Sequence, residues 1–188
     1  MNAAQRSDSA ALLLRLALGP MLVAHGTNKI AGRGGLAGTT RWFEGLGLRP
    51  AWLHARVAAT TEIAAGTLLA LGAADPLPSA AVIGLMATAA ATDHRGKGFF
   101  VFKGGWEYTG VVAAAATAIA TLGSGRWSLD ALLGRPPRSG ARVAACALGV
   151  GLAGAVGVLA TSYRPTRPTE AGDGAEPAPE WESPGSLG

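Results

Sequence analysis

The sequence is short of several things, and each shortage removes a class of protein. It has one cysteine, Cys146, so neither an intrachain disulfide scaffold nor a thiol–disulfide enzyme with its cysteine pair can be built from it. Charged residues make up only 15% of the 188 positions, against about 25% in ordinary soluble domains. Aromatics make up 6%, and the basic residues sit between apolar runs rather than on one face of a helix, so nucleic acid is a poor reading and lipid headgroups fit better. The glycines of GRGGLAG (32–38) and GKGFFVFKGG (96–105) follow no strand, which makes them turn residues rather than phosphate cradles. No serine sits in a nucleophile elbow.

What is abundant is apolar and small. Hydrophobic residues reach 49%, with 28 glycines. Five apolar runs stand out, at roughly Ala10–Gly26, Val57–Ala74, Leu77–Thr92, Tyr108–Leu122 and Val143–Thr161. A membrane-spanning helix needs about 20 apolar residues, with about 17 as the lower limit. The fifth run has no charge between its ends; the second to fourth are marginal in length, and Arg15 interrupts the first. A soluble helix would carry a polar stripe at period 3.6, which ALGVGLAGAVGVLA (147–160) lacks and VVAAAATAIATL (111–122) supplies only as threonines. The first run follows a weakly charged MNAAQRSDSA and ends on a polar HGTNK. This pattern predicts a retained first helix rather than a cleaved signal. The expected fold is therefore an all-α integral membrane protein, a four-helix transmembrane bundle with a fifth C-terminal transmembrane helix. Small-x-x-x-small spacings at Gly149–Ala153–Gly157 and Gly151–Ala155, with Gly66 and Gly84, would let helices approach closely in lipid. Cys146 is expected to be a small packing residue of the fifth helix.

The organisation divides into a polar stretch 1–9, a four-helix segment 10–134, the extra helix 135–163 and a Pro/Gly-rich tail 164–188. Beyond Pro165 five acidic residues stand against Arg167 alone, a net −4 in a chain of +4 overall, which leaves +8 on the body. Such a tail is expected to be disordered. Five spans put the amino terminus, the Asp75 turn and loop 123–142 at one face, A. Loop 27–56, loop 93–107 and the tail lie at the other, B. Face A holds Arg6, Arg126, Arg135, Arg138 and Arg142. Face B holds Lys29, Arg33, Arg41, Arg49, Arg56, Arg95, Lys97, Lys103, Arg164 and Arg167. The Lys/Arg excess marks the cytoplasmic side, so the expected orientation is amino terminus outside and tail inside a plasma (inner) membrane. Within loop 27–56, Leu36, Trp42, Phe43, Leu46 and Leu48 suit a short interfacial helix.

Ionisable groups inside a membrane are costly and mark function by default. His25, Asn28 and Lys29 fall at i, i+3 and i+4, one helix face. Asp93, His94 and Glu107 lie at the same end, as does His54. Glu62 lies some eight residues inside the second run, about 12 Å from that end at 1.5 Å per residue. A carboxylate at that depth must be protonated or paired, and His25 or Lys29 is the expected partner. For His54, Asp93 and the basic residues, a plain interfacial role is the simpler reading. Arg15, in the other half of the first helix, can pair with Asp130 or reach outward.

The strings RLALGPMLVAHGTNKIAG (15–32), TRWFEGLGLRPAW (40–52), TEIAAGTLLALG (61–72), DHRGKGFFVFKGGWEY (93–108) and GSGRWSLDALLG (123–134) together resemble the DoxX family of small four-helix membrane proteins. The resemblance runs from about Leu12 to Gly134 and omits the fifth helix and the tail. It implies a link to membrane redox systems, among them thiosulfate oxidation with quinone as electron acceptor. Carried onto this chain, it points to His25, Lys29, Glu62, His94 and Glu107. His25, Lys29 and His94 would bind a quinone headgroup, while Glu62, His25 and Glu107 would handle protons. The implied partners are the lipid bilayer, a soluble oxidoreductase or another membrane subunit, and a second copy of the chain. The alternative is a non-catalytic membrane anchor or assembly subunit. A transporter built on Glu62 lacks the inverted repeat, a bis-histidine haem would need His25 and His94 at matching depth, and a metal would need His25, His94, Glu62 and Glu107 without any short ligand spacing.

Overall fold

Each helix begins and ends where the local chemistry requires it. In the computed structural model, which describes residues 2–165, Asn2 caps the first helix through a reciprocal pair with Gln5, satisfying two orphan amide donors. Helix α1 (Ala3–Ala31) therefore takes in residues 3–9 of the polar stretch. The amphipathic α2 (Gly35–Gly45) is the short helix expected in loop 27–56. Phe43 turns inward there and Trp42 stays half exposed. Helix α3 (Ala51–Leu71) starts behind Pro50, six residues ahead of the apolar run, and stops at the left-handed Gly72, as helix C-termini commonly do. Helices α4 (Leu77–Thr92), α5 (Glu107–Leu122), the single turn α6 (Leu129–Leu132) and α7 (Ala141–Ser162) complete the described chain. Among the described residues there is no strand, only an isolated bridge between Leu48 and Tyr163. The acidic tail beyond Pro165 lies outside the described residues.

Two helices, α1 and α7, are long and apolar enough to cross a membrane. Helix α3 is 21 residues long but carries His54, Arg56 and Glu62; α4 and α5 are apolar and 16 residues each.

Packing follows the small residues. Helix α1 runs against α3 along its most extensive contact, where a Cβ on Gly19 would lie 2.6 Å from the Gly66 carbonyl oxygen and one on Gly66 would lie 2.6 Å from that of Gly19. Side chains of any size would force the two backbones apart. Helix α4 meets α7 the same way, a Cβ on Gly84 falling 2.8 Å from the Gly151 oxygen. On α7 the packed stripe is Ala144, Ala147, Gly151 and Ala155. The other spacing, Gly149–Ala153–Gly157, is exposed, and so is Cys146. Both corrections have one cause: at 100° per residue a helix can turn only one of its small-residue stripes toward a given neighbour. The main core joins Leu18 and Leu22 of α1, Leu69 of α3, Val82 and Ile83 of α4, and Ile119 of α5. A second cluster gathers Phe43, Leu48, Ala51, Ala55 and Ala58, with Val158 and Tyr163 of α7 against it.

The two ends of the bundle are stitched differently. At one end Arg49 N–H donates to Ser162 O (2.8 Å) and Arg164 N–H to Gly47 O (2.7 Å), tying the end of α7 to the α2–α3 turn. At the other, the Arg126 amide donates to Asp8 (3.1 Å) and the Asp130 amide to Gly72 O (3.1 Å). These links bring together the segments assigned to faces B and A, respectively.

Candidate functional site

Glu62 lies eleven residues into α3, about 16 Å along its axis at 1.5 Å per residue. The small residues of the α1–α3 seam decide what it meets. A Cβ on Gly26 would touch the Ala59 oxygen at 2.7 Å and Glu62 Cβ at 3.0 Å, so α1 lies directly over this carboxylate. Three residues after Gly26, Lys29 donates to both carboxylate oxygens, at 2.8 and 2.6 Å. Only 15% of the Lys29 side chain and 7% of the Glu62 side chain are exposed. Of the two partners expected from sequence, Lys29 is the one in contact. Thr39 of α2 donates to the Lys29 carbonyl oxygen at 2.8 Å, fixing the end of α1 that carries the ammonium.

The remaining site residues do not join that pair. His25 is exposed and packs its ring against Tyr108 of α5, with centroids 5.7 Å apart and planes tilted by 37°. Tyr108, which residue-level reasoning did not single out, lies within electrostatic reach of Glu62 and points its hydroxyl toward Met21 Sδ at 3.8 Å. His94 uses Nδ1 on the Gly104 carbonyl oxygen at 2.6 Å, and its Nε2 is 3.9 Å from Asp93. Glu107 accepts from the Val101 amide at 3.0 Å. Both therefore brace the loop between α4 and α5. The five polar groups, expected to meet at one end, fall into an ion pair with His25 and Tyr108 near it, and a loop brace. Among the described residues no three His, Cys, Asp or Glu side chains gather as a metal-ligand set.

The ion pair opens onto a cavity of about 460 Å³ between α2, α3, α4 and α7. That volume falls within the range of about 300–1,000 Å³ typical of small-molecule sites. Its polar lining comes chiefly from Lys29, Glu62 and His54, and its apolar walls from residues such as Trp42, Leu85 and Val158. Three of the residues singled out from sequence, His25, His94 and Glu107, are not in this lining. His54 is, although sequence reasoning placed it among the interfacial residues. A shallower groove along α1 and α3, lined by Pro20, Val23, Thr27, Thr67 and Leu71 among others, contains no ionisable residue.

At the far end of the bundle, Arg15 is 2% exposed and its guanidinium is spent on backbone oxygens. Nε donates to Leu69 O at 2.9 Å, and Nη2 to Ala70 O and Trp127 O at 3.1 Å each. Nη1 donates to Ser124 O. One side chain thus caps the C-terminus of α3, where carbonyls lack helical partners, and holds loop 123–128 over it. Asp130, the carboxylate proposed from sequence, instead accepts from Arg135 at 2.8 Å. Asp75, in the α3–α4 turn, accepts from Ser79 at 2.7 Å with one oxygen and leaves the other buried without a partner. Burial pushes the Asp75 carboxyl above the ordinary carboxylate range, while the Ser79 hydrogen bond works in the opposite direction.

The DoxX family model matches residues 10–95, the span that supplies Lys29, His54 and Glu62 together with α1 to α4. Over that segment the chain is similar to the DoxX family. Helices α5 and α7 lie beyond the matched DoxX segment, although α7 forms one wall of the cavity. No curated protein and no solved structure matches the chain.

Proposed function

We propose that this protein, DoxX-like over residues 10–95, is a multi-pass protein of the plasma (inner) membrane, with α1, α3, α4, α5 and α7 as five spans. It is read as a subunit of a membrane redox system that binds a quinone headgroup beside Lys29 and Glu62. Membrane placement is supported by the helix surfaces. Leu13, Leu16, Val57, Val111, Val150 and Val156 are all half exposed or more, a belt of apolar side chains whose natural solvent is lipid rather than water. The excess of Lys and Arg at the end bearing the α2–α3 turn orients that end, and the tail, toward the cytoplasm.

The observation that carries the functional reading is the nearly buried Lys29–Glu62 pair in the wall of an otherwise largely apolar cavity. The donor set fits a quinone. Lys29 carries three protons and spends two on Glu62, leaving one for a carbonyl oxygen. Glu62 can hold a proton beside it, and the walls suit an apolar ring and chain. When bound, a quinone accepts two electrons, which a soluble oxidoreductase docked at the cytoplasmic face would supply. His25, His94 and Glu107, outside the cavity lining, take the more modest role of shaping the bundle end around it.

Extraction of the detergent-purified protein, followed by chromatography for quinone, tests this reading. A stoichiometric quinone in the wild type, reduced in Glu62→Gln, is the expected result; a protein free of quinone refutes it. A second reading, a non-catalytic anchor for a soluble redox enzyme, rests on a different feature. The loop holding Arg95, Lys97 and Lys103 also exposes Phe99, Phe100 and Phe102, a basic and aromatic surface next to the membrane. An empty protein that still captures a cytoplasmic oxidoreductase through this loop would establish that alternative.

A further inference from the structure

His54 belongs to the first turn of α3, half-buried in the second core cluster's neighbourhood and lining the cavity. Its Nε2 is buried with no hydrogen-bond partner, one of two such side-chain atoms among the described residues. Whichever tautomer the ring adopts, Nε2 is either a donor or an acceptor. An unmade bond at a buried polar atom costs about 1–3 kcal/mol, so an orphan of this kind calls for an explanation. Asp75 Oδ2, the other orphan, lies at the opposite end of α3 and does not line the cavity.

Two further hydroxyls of the lining are already spoken for, while Thr61 also lines the cavity. Thr88 and Thr92 donate back to carbonyls of their own helix at 2.9 Å each. Glu62 is neutralised by Lys29, so the pair presents no net charge, only the one remaining ammonium proton. A charged head entering here would meet no counter-ion and would lose its hydration, a cost that a carbonyl or hydroxyl does not bear. We propose that His54 is a binding residue of this cavity, and that with Lys29 it selects a neutral amphipathic ligand, an apolar ring or chain carrying a carbonyl or hydroxyl head. This rests on the reading of the cavity as a ligand site and adds the residue and the charge class to it. Helix α7 forms one wall of the site. Val150, Gly151, Gly154 and Ala155 line it, and a Cβ on Gly154 meets nothing within 4 Å, so a larger side chain there has room to occupy.

The test uses the full chain in lipid nanodiscs, titrated calorimetrically with three probes that share a decyl tail: a decyl-benzoquinone, decanol and decanoate. Saturable binding of the two neutral probes and none of decanoate is expected. His54→Leu, which removes the orphan while keeping bulk, should weaken both by about tenfold, the worth of one hydrogen bond, with thermal stability unchanged or raised. His54→Gln should restore most of the affinity, and Gly154→Leu should abolish binding while leaving the fold intact. Unchanged affinity in His54→Leu overturns the role of His54 and leaves the quinone reading standing. Decanoate binding as tightly as decanol overturns the charge selection. His54-dependent binding of decanol without the benzoquinone supports this inference and removes the quinone reading. Failure of all three probes refutes both.

Discussion

Glu62→Met, with Lys29 left in place, is the substitution whose consequence the structure constrains most closely. An exposed ion pair is worth about 0–1 kcal/mol, whereas removing one partner of a buried pair costs about 3–5 kcal/mol, because the remaining charge is stranded. With side chains 15% and 7% exposed, this pair belongs to the second case, near its lower bound because the lysine head retains some access to solvent. A loss of about 3 kcal/mol corresponds to a fall in Tm of roughly 6–12 °C, at about 2–4 °C per kcal/mol for a chain of this size. Lys29→Met should do similar damage by stranding the carboxylate, although protonation of Glu62 softens it. The double variant Lys29→Met/Glu62→Met leaves no charge behind and should recover most of the loss, giving a coupling of about 4–5 kcal/mol across the cycle. Thermal unfolding in mild detergent, followed by tryptophan fluorescence, reads all four proteins. Single variants within about 0.5 kcal/mol of wild type, or a double variant as unstable as the sum of the singles, would refute the reasoning. A double variant more stable than wild type would show that the pair is kept for its chemistry.

Other expectations follow from separate parts of the fold. Arg15→Leu strips Leu69, Ala70, Ser124 and Trp127 of their shared donor and should destabilise by at least about 3 kcal/mol, with Arg15→Lys recovering only part because an ammonium lacks the guanidinium fork; the same unfolding assay measures both. Gly84→Val drives a side chain into the Gly151 carbonyl and should cost about 1–3 kcal/mol, whereas Gly149→Ala, with nothing within 4 Å of the new Cβ, should be neutral; a common loss in both would disprove the packed stripe. Because Asp75's native pKa is raised, its favourable contribution is fully present below the unfolded carboxylate value and is lost as pH rises through the native one. Stability measured from about pH 4 to 7 should therefore fall less steeply in Asp75→Asn than in wild type. Cys146 is exposed on α7, so a maleimide should label it readily in detergent, while a membrane-impermeant maleimide should fail in sealed vesicles; rapid labelling there would refute a lipid-embedded α7.

The amino-acid sequence by itself determined the all-helical class, the apolar runs around which the five long helices form, the short amphipathic helix before Pro50 and the need for Glu62 to be protonated or paired. These follow from local rules: apolar run length, the i, i+4 repeat that places His25 and Lys29 on one face, and the cost of an unpaired carboxylate. Tertiary structure alone decided which cation answered. Helix α1 settles against α3 at Gly19, Gly26 and Gly66, and that register delivers Lys29 to the carboxylate while His25 is left to Tyr108. Arg15 could not be read correctly from residue types, since its partners are backbone oxygens and every residue carries one. The same holds for α7, whose two small-residue stripes are alike in composition and differ only in which one meets Gly84. His54 gained its place in the cavity because α7 closes over the first turns of α3, a contact between segments about a hundred residues apart that no local pattern encodes.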